Sequence, residues 1–135
     1  MLNVTRKRAH CVYLLNYHII MIPKYRKSIL VSPISTFFEK QVLIICGHYG
    51  WTIHALEIRP DHVHLFLAVN PSDLPSQIID RLKSLTARAL FDRFSMLRIK
   101  EYWGNKFWSR GYFIGSAGAV SSDVIRRYIE NQNHS

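Results

Sequence analysis

The chain has 135 residues, a length typical of one domain that can bury a hydrophobic core. Hydrophobic residues make up 48% of it and charged residues 20%, a composition that excludes an intrinsically disordered chain. Lys and Arg number 18 against 9 Asp and Glu, so the formal net charge is +9. This excess favours a polyanionic partner such as a nucleic acid, because neutralised phosphates release their condensed counterions.

The cysteines and apolar runs exclude two other classes of protein. Cys11 and Cys46 are too few for a disulfide framework or a Cys-rich zinc site, and both are interpreted as small buried thiols. The apolar run after the basic N-terminus is interrupted by Asn16 and His18 and lacks a cleavage site of small residues. We therefore expect a reduced, cytoplasmic protein that neither spans nor binds a membrane.

The first part of the chain is predicted to contain two strands separated by a helix. Val, Ile and Tyr are frequent over residues 9–22, which favours a strand. Ser32-Pro33 is a typical helix start, and Gly47 or Gly50 can end that helix. The second strand covers residues 51–59.

The next elements follow a tight turn at residues 60–61. Residues 62–69 form a third strand, and Asp73 can cap a second helix. In that helix, apolar residues recur at helical spacing: Leu74, Ile78, Ile79, Leu82, Leu85, Ala89 and Leu90. Residues 107–114 are predicted to form a fourth strand.

The order β-α-β-β-α-β predicts an α+β fold with a ferredoxin-like (RRM-like) antiparallel sheet and both helices on one face. The split βαβ core covers residues 9–114 of a single domain, 1–135. A glycine joint at 115–120, containing Gly115 and Gly118, precedes a mobile last helix at 121–133. The other face of the sheet is left open.

Two histidines of the third strand share that open face. Val63 and Leu65 alternate with His62 and His64, so the apolar pair meets the helices and the imidazoles project together on the other side. Imidazole is the commonest metal ligand in proteins, so the pair can hold one ion. The alternative interpretation is two outward-facing polar positions without a ligand.

The last helix contains a candidate nucleophile. Tyr128 and Gln132 are one helical turn apart, so they share a face. A glutamine carbonyl oxygen can supply a third metal ligand, and a phenol beside a metal can attack a phosphate. Arg126 and Arg127 can stabilise the phenolate. In the alternative interpretation, Tyr128 packs on the domain as part of an ordinary amphipathic helix.

Basic residues alternate with aromatic ones, a mixture that suits single-stranded nucleic acid because rings stack on unpaired bases and cations bind phosphates. The candidate DNA contacts are Lys24, Arg26, Lys83, Arg88 and Arg110.

With these features taken together, the chain resembles the single-tyrosine HUH transposases of the insertion sequence 200/605 family. The resemblance extends from about His10 to Gln132. Its motifs are Tyr17-His18-Ile19-Ile20-Met21-Ile22-Pro23-Lys24-Tyr25-Arg26, Arg59-Pro60-Asp61-His62-Val63-His64-Leu65-Phe66, Leu82-Lys83-Ser84, Phe107-Trp108-Ser109-Arg110-Gly111-Tyr112-Phe113 and Tyr128-Ile129-Glu130-Asn131-Gln132.

The resemblance implies a mechanism and a set of site residues. The HUH element corresponds to His62-Val63-His64, the nucleophile to Tyr128 and the third metal ligand to Gln132. Such enzymes use Mg²⁺ or Mn²⁺, form a 5′-phosphotyrosine with a free 3′-hydroxyl, and rejoin the strand without ATP. They act as homodimers on hairpins in single-stranded DNA and have no small-molecule substrate.

Other functions remain open from the sequence. A non-catalytic module that binds single-stranded nucleic acid, including RNA, would use the same sheet face. An RRM of that kind predicts aromatic pairs on the central strands, where this chain has His62 and His64. A metal hydrolase would leave no covalent adduct, and a domesticated relative that processes repeated palindromes would keep the same residues.

Overall fold

A computed structural model of the chain describes residues 14–98, 106–116 and 129–130. Within these ranges, four strands and two long helices follow one another in the predicted order. The strands are β1 (Leu15–Met21), β2 (Thr52–Arg59), β3 (His62–Val69) and β4 (Phe113–Ser116), and the helices are α1 (Ile34–Tyr49) and α2 (Pro75–Arg93).

The strands form one antiparallel sheet in the order β2-β3-β1-β4. The turn at residues 60–61 joins β2 to β3, and these strands pair with one irregularity between Ile53 and Ala55. β1 lies on the other side of β3, so α1 and α2 each cross from one strand to a non-adjacent one. This is the ferredoxin-like α+β arrangement, which confirms the predicted fold class.

The hydrophobic core lies between the two helices and one face of the sheet. Val63, Leu65 and Leu67 of β3 are buried in it, as their alternation predicts. Burying a side chain of this size contributes about 1.5–3 kcal/mol, so packing rather than helix propensity holds the helices on this face. The helices contribute Phe38, Val42, Ile45, Cys46, Ile78, Ile79, Leu82, Leu90 and Phe91.

Cys46 is a buried free thiol, which agrees with its sequence interpretation. Burial raises the pKa of this thiol to about 12, so it stays protonated at neutral pH. Cys11 lies outside the described residues.

Both helices begin without the predicted side-chain caps. α1 starts at Ile34, after Pro33, and the amide of Ser35 donates to the Val31 carbonyl at 3.0 Å instead of to a hydroxyl. α2 starts at Pro75, and Leu74 precedes it with an exposed side chain.

The carboxylate of Asp73, the predicted cap of α2, has other partners. Its Oδ2 accepts hydrogen bonds from the indole of Trp51 and from the amide of Asn70, both at 3.0 Å. The side chain therefore links the start of β2 to the loop before α2. The prediction that Asp73 caps α2 was wrong. Its carboxylate binds Trp51, which is distant in the sequence, and Asn70 of the preceding loop.

The fourth strand begins later than predicted. β4 starts at Phe113, and residues 107–109 pair with the chain after β1 through an isolated bridge between Pro23 and Trp108. The amide of Ser109 donates to the Ile22 carbonyl at 2.7 Å, and the amide of Lys24 donates to the Phe107 carbonyl at 2.8 Å.

The end of β4 also changes the predicted joint. Gly115 belongs to β4 and pairs with His18 of β1. The joint therefore begins no earlier than residue 117, and Gly118 lies outside the described residues. Within the part of the chain that the structure describes, no helix is long and apolar enough to cross a bilayer.

Candidate metal centre and nucleophile

His62 and His64 lie on the open face of the sheet, as predicted. Both rings are partly buried, while Val63 between them is buried on the helix side. The two residues are one pleat apart on a central strand. His64 is paired on both sides, with Ile20 of β1 and Glu57 of β2, whereas His62 is paired with Arg59 of β2.

The turn before β3 orients the first of these rings. Asp61 Oδ1 lies 3.0 Å from His62 Nδ1. An ionised carboxylate only accepts hydrogen bonds, so Nδ1 is the donor of this contact, and in the neutral ring Nε2 then presents its lone pair. A histidine that binds a metal is commonly oriented by a carboxylate in this way.

The second ring contacts a third histidine that the sequence analysis did not select. His18 Nδ1 lies 3.0 Å from His64 Nε2, and His18 stacks on Phe66 with ring centroids 4.4 Å apart and planes inclined by 7°. The register pairs His18 with Phe66 and Ile20 with His64, so His18 is a diagonal neighbour of His64 on one face. The sequence signal was limited to the alternation of β1, which does not specify the register.

Burial lowers the pKa of His64, and the neighbouring imidazole of His18 lowers it further. Glu57, which lies opposite His64 on β2, has the reverse effect, and His62 adds a smaller lowering. The combined direction favours the neutral imidazole, which is the form that binds a metal ion.

These donors fit a divalent ion in part. Two imidazoles on one face can supply two ligands, and the contact of Asp61 with Nδ1 of His62 leaves Nε2 of that ring for the purpose. Among the described residues, no group of three His, Cys, Asp or Glu side chains is arranged to hold a metal. A complete site therefore requires a ligand of another type or from another part of the chain. Gln132, the predicted third ligand, lies outside the described residues, as does Tyr128.

Arg26 connects this site to Ile129, one of the two described residues near the C-terminus. Its Nε lies 3.2 Å from Asp61 Oδ2, and its Nη1 donates to the carbonyl of Ile129 at 3.0 Å. Ile129 directly follows Tyr128 in the sequence. The guanidinium predicted to contact DNA is therefore engaged within the protein.

Lys83, another predicted DNA contact, is also engaged within the protein. Its ammonium donates to the carbonyls of Ser109, Arg110 and Gly111 at 2.7, 3.3 and 2.9 Å. Burial lowers the pKa of Lys83 to about 8, with a further contribution from Lys106. The side chain thus fixes the segment before β4 against α2.

The remaining predicted DNA contacts are at or near the surface. Arg88 and Arg110 are exposed, and the Lys24 ammonium lies 5.1 Å from the centre of the Tyr25 ring. Their contact with DNA stays a prediction.

The fold and the site together define a class: ferredoxin-like domains with a His-x-His strand on the open face of the sheet. The chain belongs to the IS200-like transposase family, whose model matches residues 11–132. It is therefore a DNA-processing enzyme of the transposase type.

Two curated relatives agree with this assignment. The ISDra2 transposase TnpA of Deinococcus radiodurans is 32% identical over 128 residues, which cover 95% of this chain and 91% of the relative. The transposase of insertion sequence IS200 from Salmonella typhimurium is 28% identical over 124 residues, with coverages of 92% and 80%.

Two solved structures share the fold. A crystal structure from Deinococcus radiodurans R1, of a protein assigned as a transposase, has a TM-score of 0.85 and 32% identity, covering 97% of this chain and all of that one. A REP-associated tyrosine transposase bound to a REP hairpin has a TM-score of 0.59 over 93% of this chain and 68% of that one. Its identity is 12%, so this likeness concerns the fold alone.

Proposed function

We propose that the protein cleaves single-stranded DNA beside a hairpin and rejoins it through a covalent phosphotyrosine at Tyr128. The observation that carries this proposal is the chain of contacts from Ile129 through Arg26 and Asp61 to His62. It connects the residue after the proposed nucleophile to the first of the two proposed metal ligands.

The proposed reaction exchanges one phosphodiester for another. The phenolic oxygen of Tyr128 loses its proton and attacks the scissile phosphorus. The bond from phosphorus to the 3′-oxygen breaks, and that oxygen leaves as a 3′-hydroxyl after taking up a proton. A different 3′-hydroxyl then attacks the phosphotyrosine, reforms the strand and releases the phenol, so no ATP is needed.

His62, His64 and Gln132 would hold a divalent ion in this scheme. When bound, the ion supplies Lewis-acid polarisation of the phosphoryl oxygen. Family resemblance favours Mg²⁺ or Mn²⁺, and the two imidazoles favour Mn²⁺ of this pair on ligand chemistry. The orientation of His62 by Asp61 does not depend on which of the two is bound.

Hairpin recognition is supported by the charge of the chain and by the relative bound to a REP hairpin. Lys24, Arg88 and Arg110 are the proposed contacts to phosphates. We further propose that the protein acts as a homodimer, as the family resemblance implies. A processing role on repeated palindromes would use the same chemistry on a different DNA.

The test is an adduct assay with the full chain. Labelled hairpin oligonucleotides from the DNA that flanks the coding sequence are mixed with protein and Mg²⁺ or Mn²⁺, and the products are separated under denaturing conditions. We expect a labelled protein band that Tyr128→Phe loses completely while hairpin binding persists. Cleaved DNA without an adduct would identify a hydrolase, and binding without cleavage would identify a non-catalytic module. An adduct formed by Tyr128→Phe would contradict the assignment of the nucleophile.

A further inference from the structure

The turn after β1 has an unusual backbone that aims Arg26. Tyr25 and Arg26 adopt positive φ angles of 62° and 52°, in the left-handed region that non-glycine residues seldom occupy. Such a conformation persists only where surrounding contacts stabilise it.

Backbone hydrogen bonds supply those contacts. The Lys24 amide donates to the Phe107 carbonyl at 2.8 Å, and the Arg26 amide donates to the Pro23 carbonyl at 2.8 Å. The turn is therefore attached to the segment before β4 as well as to β1. Its conformation is imposed by the fold and directs the Arg26 side chain toward the turn between β2 and β3.

The guanidinium joins two acceptors from different parts of the chain. Nε contacts Asp61 Oδ2 and Nη1 contacts the Ile129 carbonyl, and these nitrogens point in different directions from one rigid plane. The other oxygen of the same carboxylate contacts His62 Nδ1. A displacement of Ile129 can therefore be transmitted through two side chains to the ring of His62.

We infer that Arg26 is a positioning residue that holds residues 129–130 beside the histidine site of its own chain and, through Asp61, sets the orientation of His62. One side chain thereby links the residue that follows the proposed nucleophile to a proposed metal ligand. The effect of Arg26 on strand cleavage rests on the proposed function, whereas its hold on residues 129–130 is measurable without DNA.

The identity of the side chain matters for this role. Lysine keeps the positive charge, but its ammonium is a single compact donor group on a flexible stem and lacks the planar fork. Arg26→Lys therefore removes the bridge while preserving the charge that a simple DNA contact requires. Lys24→Ala is the matched control, because it removes a charge from the same turn and leaves the bridge intact.

The first measurement is hydrogen exchange of the free, full-length protein, followed in peptides that contain residues 129–130. We expect Arg26→Lys to accelerate exchange there by roughly tenfold or more, which is the effect of losing one charge-assisted hydrogen bond. Lys24→Ala should leave it unchanged. Asp61→Asn weakens the other end of the bridge and should accelerate exchange as well, which keeps the test valid if Arg26→Lys fails to fold.

The second measurement separates DNA affinity from the reaction step, using the hairpin oligonucleotides of the adduct assay. For Arg26→Lys we expect an unchanged hairpin Kd and an adduct rate, at saturating hairpin, that is lower by about 10–100-fold. Mn²⁺ affinity, measured by calorimetry without DNA, should fall in the same variant because His62 loses its fixed orientation.

Three results would overturn the inference. Unchanged exchange at residues 129–130 in Arg26→Lys would show that the bridge does not hold these residues. Equal acceleration by Lys24→Ala would attribute the effect to the charge of the turn. An unaltered adduct rate at saturation, combined with a weaker hairpin Kd and a shallower salt dependence in Arg26→Ala, would make Arg26 a DNA contact. If the unsubstituted protein forms no adduct, the proposed function fails, and the exchange measurement still decides the structural role of Arg26.

Discussion

His62 and His64 differ in their surroundings although they share a strand face. His62 faces a carboxylate, whereas His64 faces His18 and has a pKa lowered chiefly by burial. The first ring is oriented by the Asp61 carboxylate. Burial favours the neutral form of the second ring, whose Nε2 must exchange His18 for a metal ion unless the ion binds at Nδ1.

Replacing either histidine of the pair should abolish cleavage and spare hairpin binding. Removing a residue that only orients a metal ligand lowers metal affinity or activity by about 10–100-fold. Loss of the ligand itself should therefore lower the adduct rate by roughly 100-fold or more. His62→Ala and His64→Ala are compared with His48→Ala, an exposed histidine near the end of α1. Comparable cleavage by a variant of the pair with Mg²⁺ or Mn²⁺ would refute the metal assignment.

Lys83 gives a prediction about stability and pH. Its pKa is lowered to about 8 in the folded protein, below the ordinary value of 10.5, so between these pH values the unfolded chain binds more protons. Stability from this group therefore rises with pH across that window. At roughly 1.4 kcal/mol per pKa unit the gain is below about 3.5 kcal/mol, and solvent around the partly exposed ammonium reduces it further.

The measurement is denaturant unfolding of the unsubstituted protein and of Lys83→Met at about pH 7.5 and about pH 10, close to the two ends of this window. The difference in unfolding free energy should shift in favour of the unsubstituted protein at the higher pH. A difference that does not change with pH would mean that the three carbonyls keep the ammonium charged throughout.

α2 positions the segment that leads into β4, and it does so through two polar side chains on its inner side. Besides Lys83, Thr86 is fully buried, accepts a hydrogen bond from the Trp108 indole at 3.0 Å and donates to the Leu82 carbonyl at 2.6 Å. The indole packs against Phe38 of α1, so both helices contact this segment. The segment can therefore leave the sheet ladder without losing its position.

Thr86→Val should destabilise the fold without changing its shape. Valine has nearly the same volume, but it leaves the buried indole N–H of Trp108 without an acceptor, at a cost of about 1–3 kcal/mol. Ser84→Ala is the control, because the Ser84 hydroxyl bonds the Asp80 carbonyl at an exposed position and its loss should change stability by less than about 0.5 kcal/mol. Urea unfolding provides both values, and an equal loss in the two variants would contradict a role for the buried bond.

In the described part of the molecule, Arg26 connects the four-stranded sheet domain to residues 129–130 near the C-terminus. The described contact joins Arg26 and Ile129 of one chain, and under the proposed function it favours a site assembled within a single protomer. The family resemblance also implies a homodimer in which the helix reaches the partner. The two arrangements use the same residues and differ in which chain supplies the phenol.

Mixing two inactive variants distinguishes these arrangements. Tyr128→Phe retains the histidine pair, and His64→Ala retains the phenol, so a heterodimer has one working site only if the sites form between chains. If Arg26 holds the helix on its own chain throughout the reaction, the mixture should stay inactive in the adduct assay. Subunit exchange is verified with differently tagged chains, and recovered activity would show that the helix leaves its own chain.

Local sequence patterns were sufficient for the order of the four strands and two long helices that the structure describes, and for the shared face of His62 and His64. Strand alternation has a period of two, so the apolar positions of β3 determine the side on which the histidines lie. The same patterns failed at the start of α2, where the expected cap Asp73 binds Trp51 and Asn70, and at the start of β4. The two differences involve contacts between segments that are remote in the sequence, such as Trp51 with Asp73 and Pro23 with Trp108.

By itself, the sequence determined the fold class, the residues of the His-x-His strand and the family, because each follows from periodicity or from a continuous motif. Only the tertiary structure showed that His18 lies against His64, that Lys83 binds three carbonyls and that Arg26 joins Asp61 to Ile129. These contacts depend on sheet register and on a left-handed turn stabilised by the segment before β4. Register and turn conformation are set by packing between distant segments, which no local pattern of residues encodes.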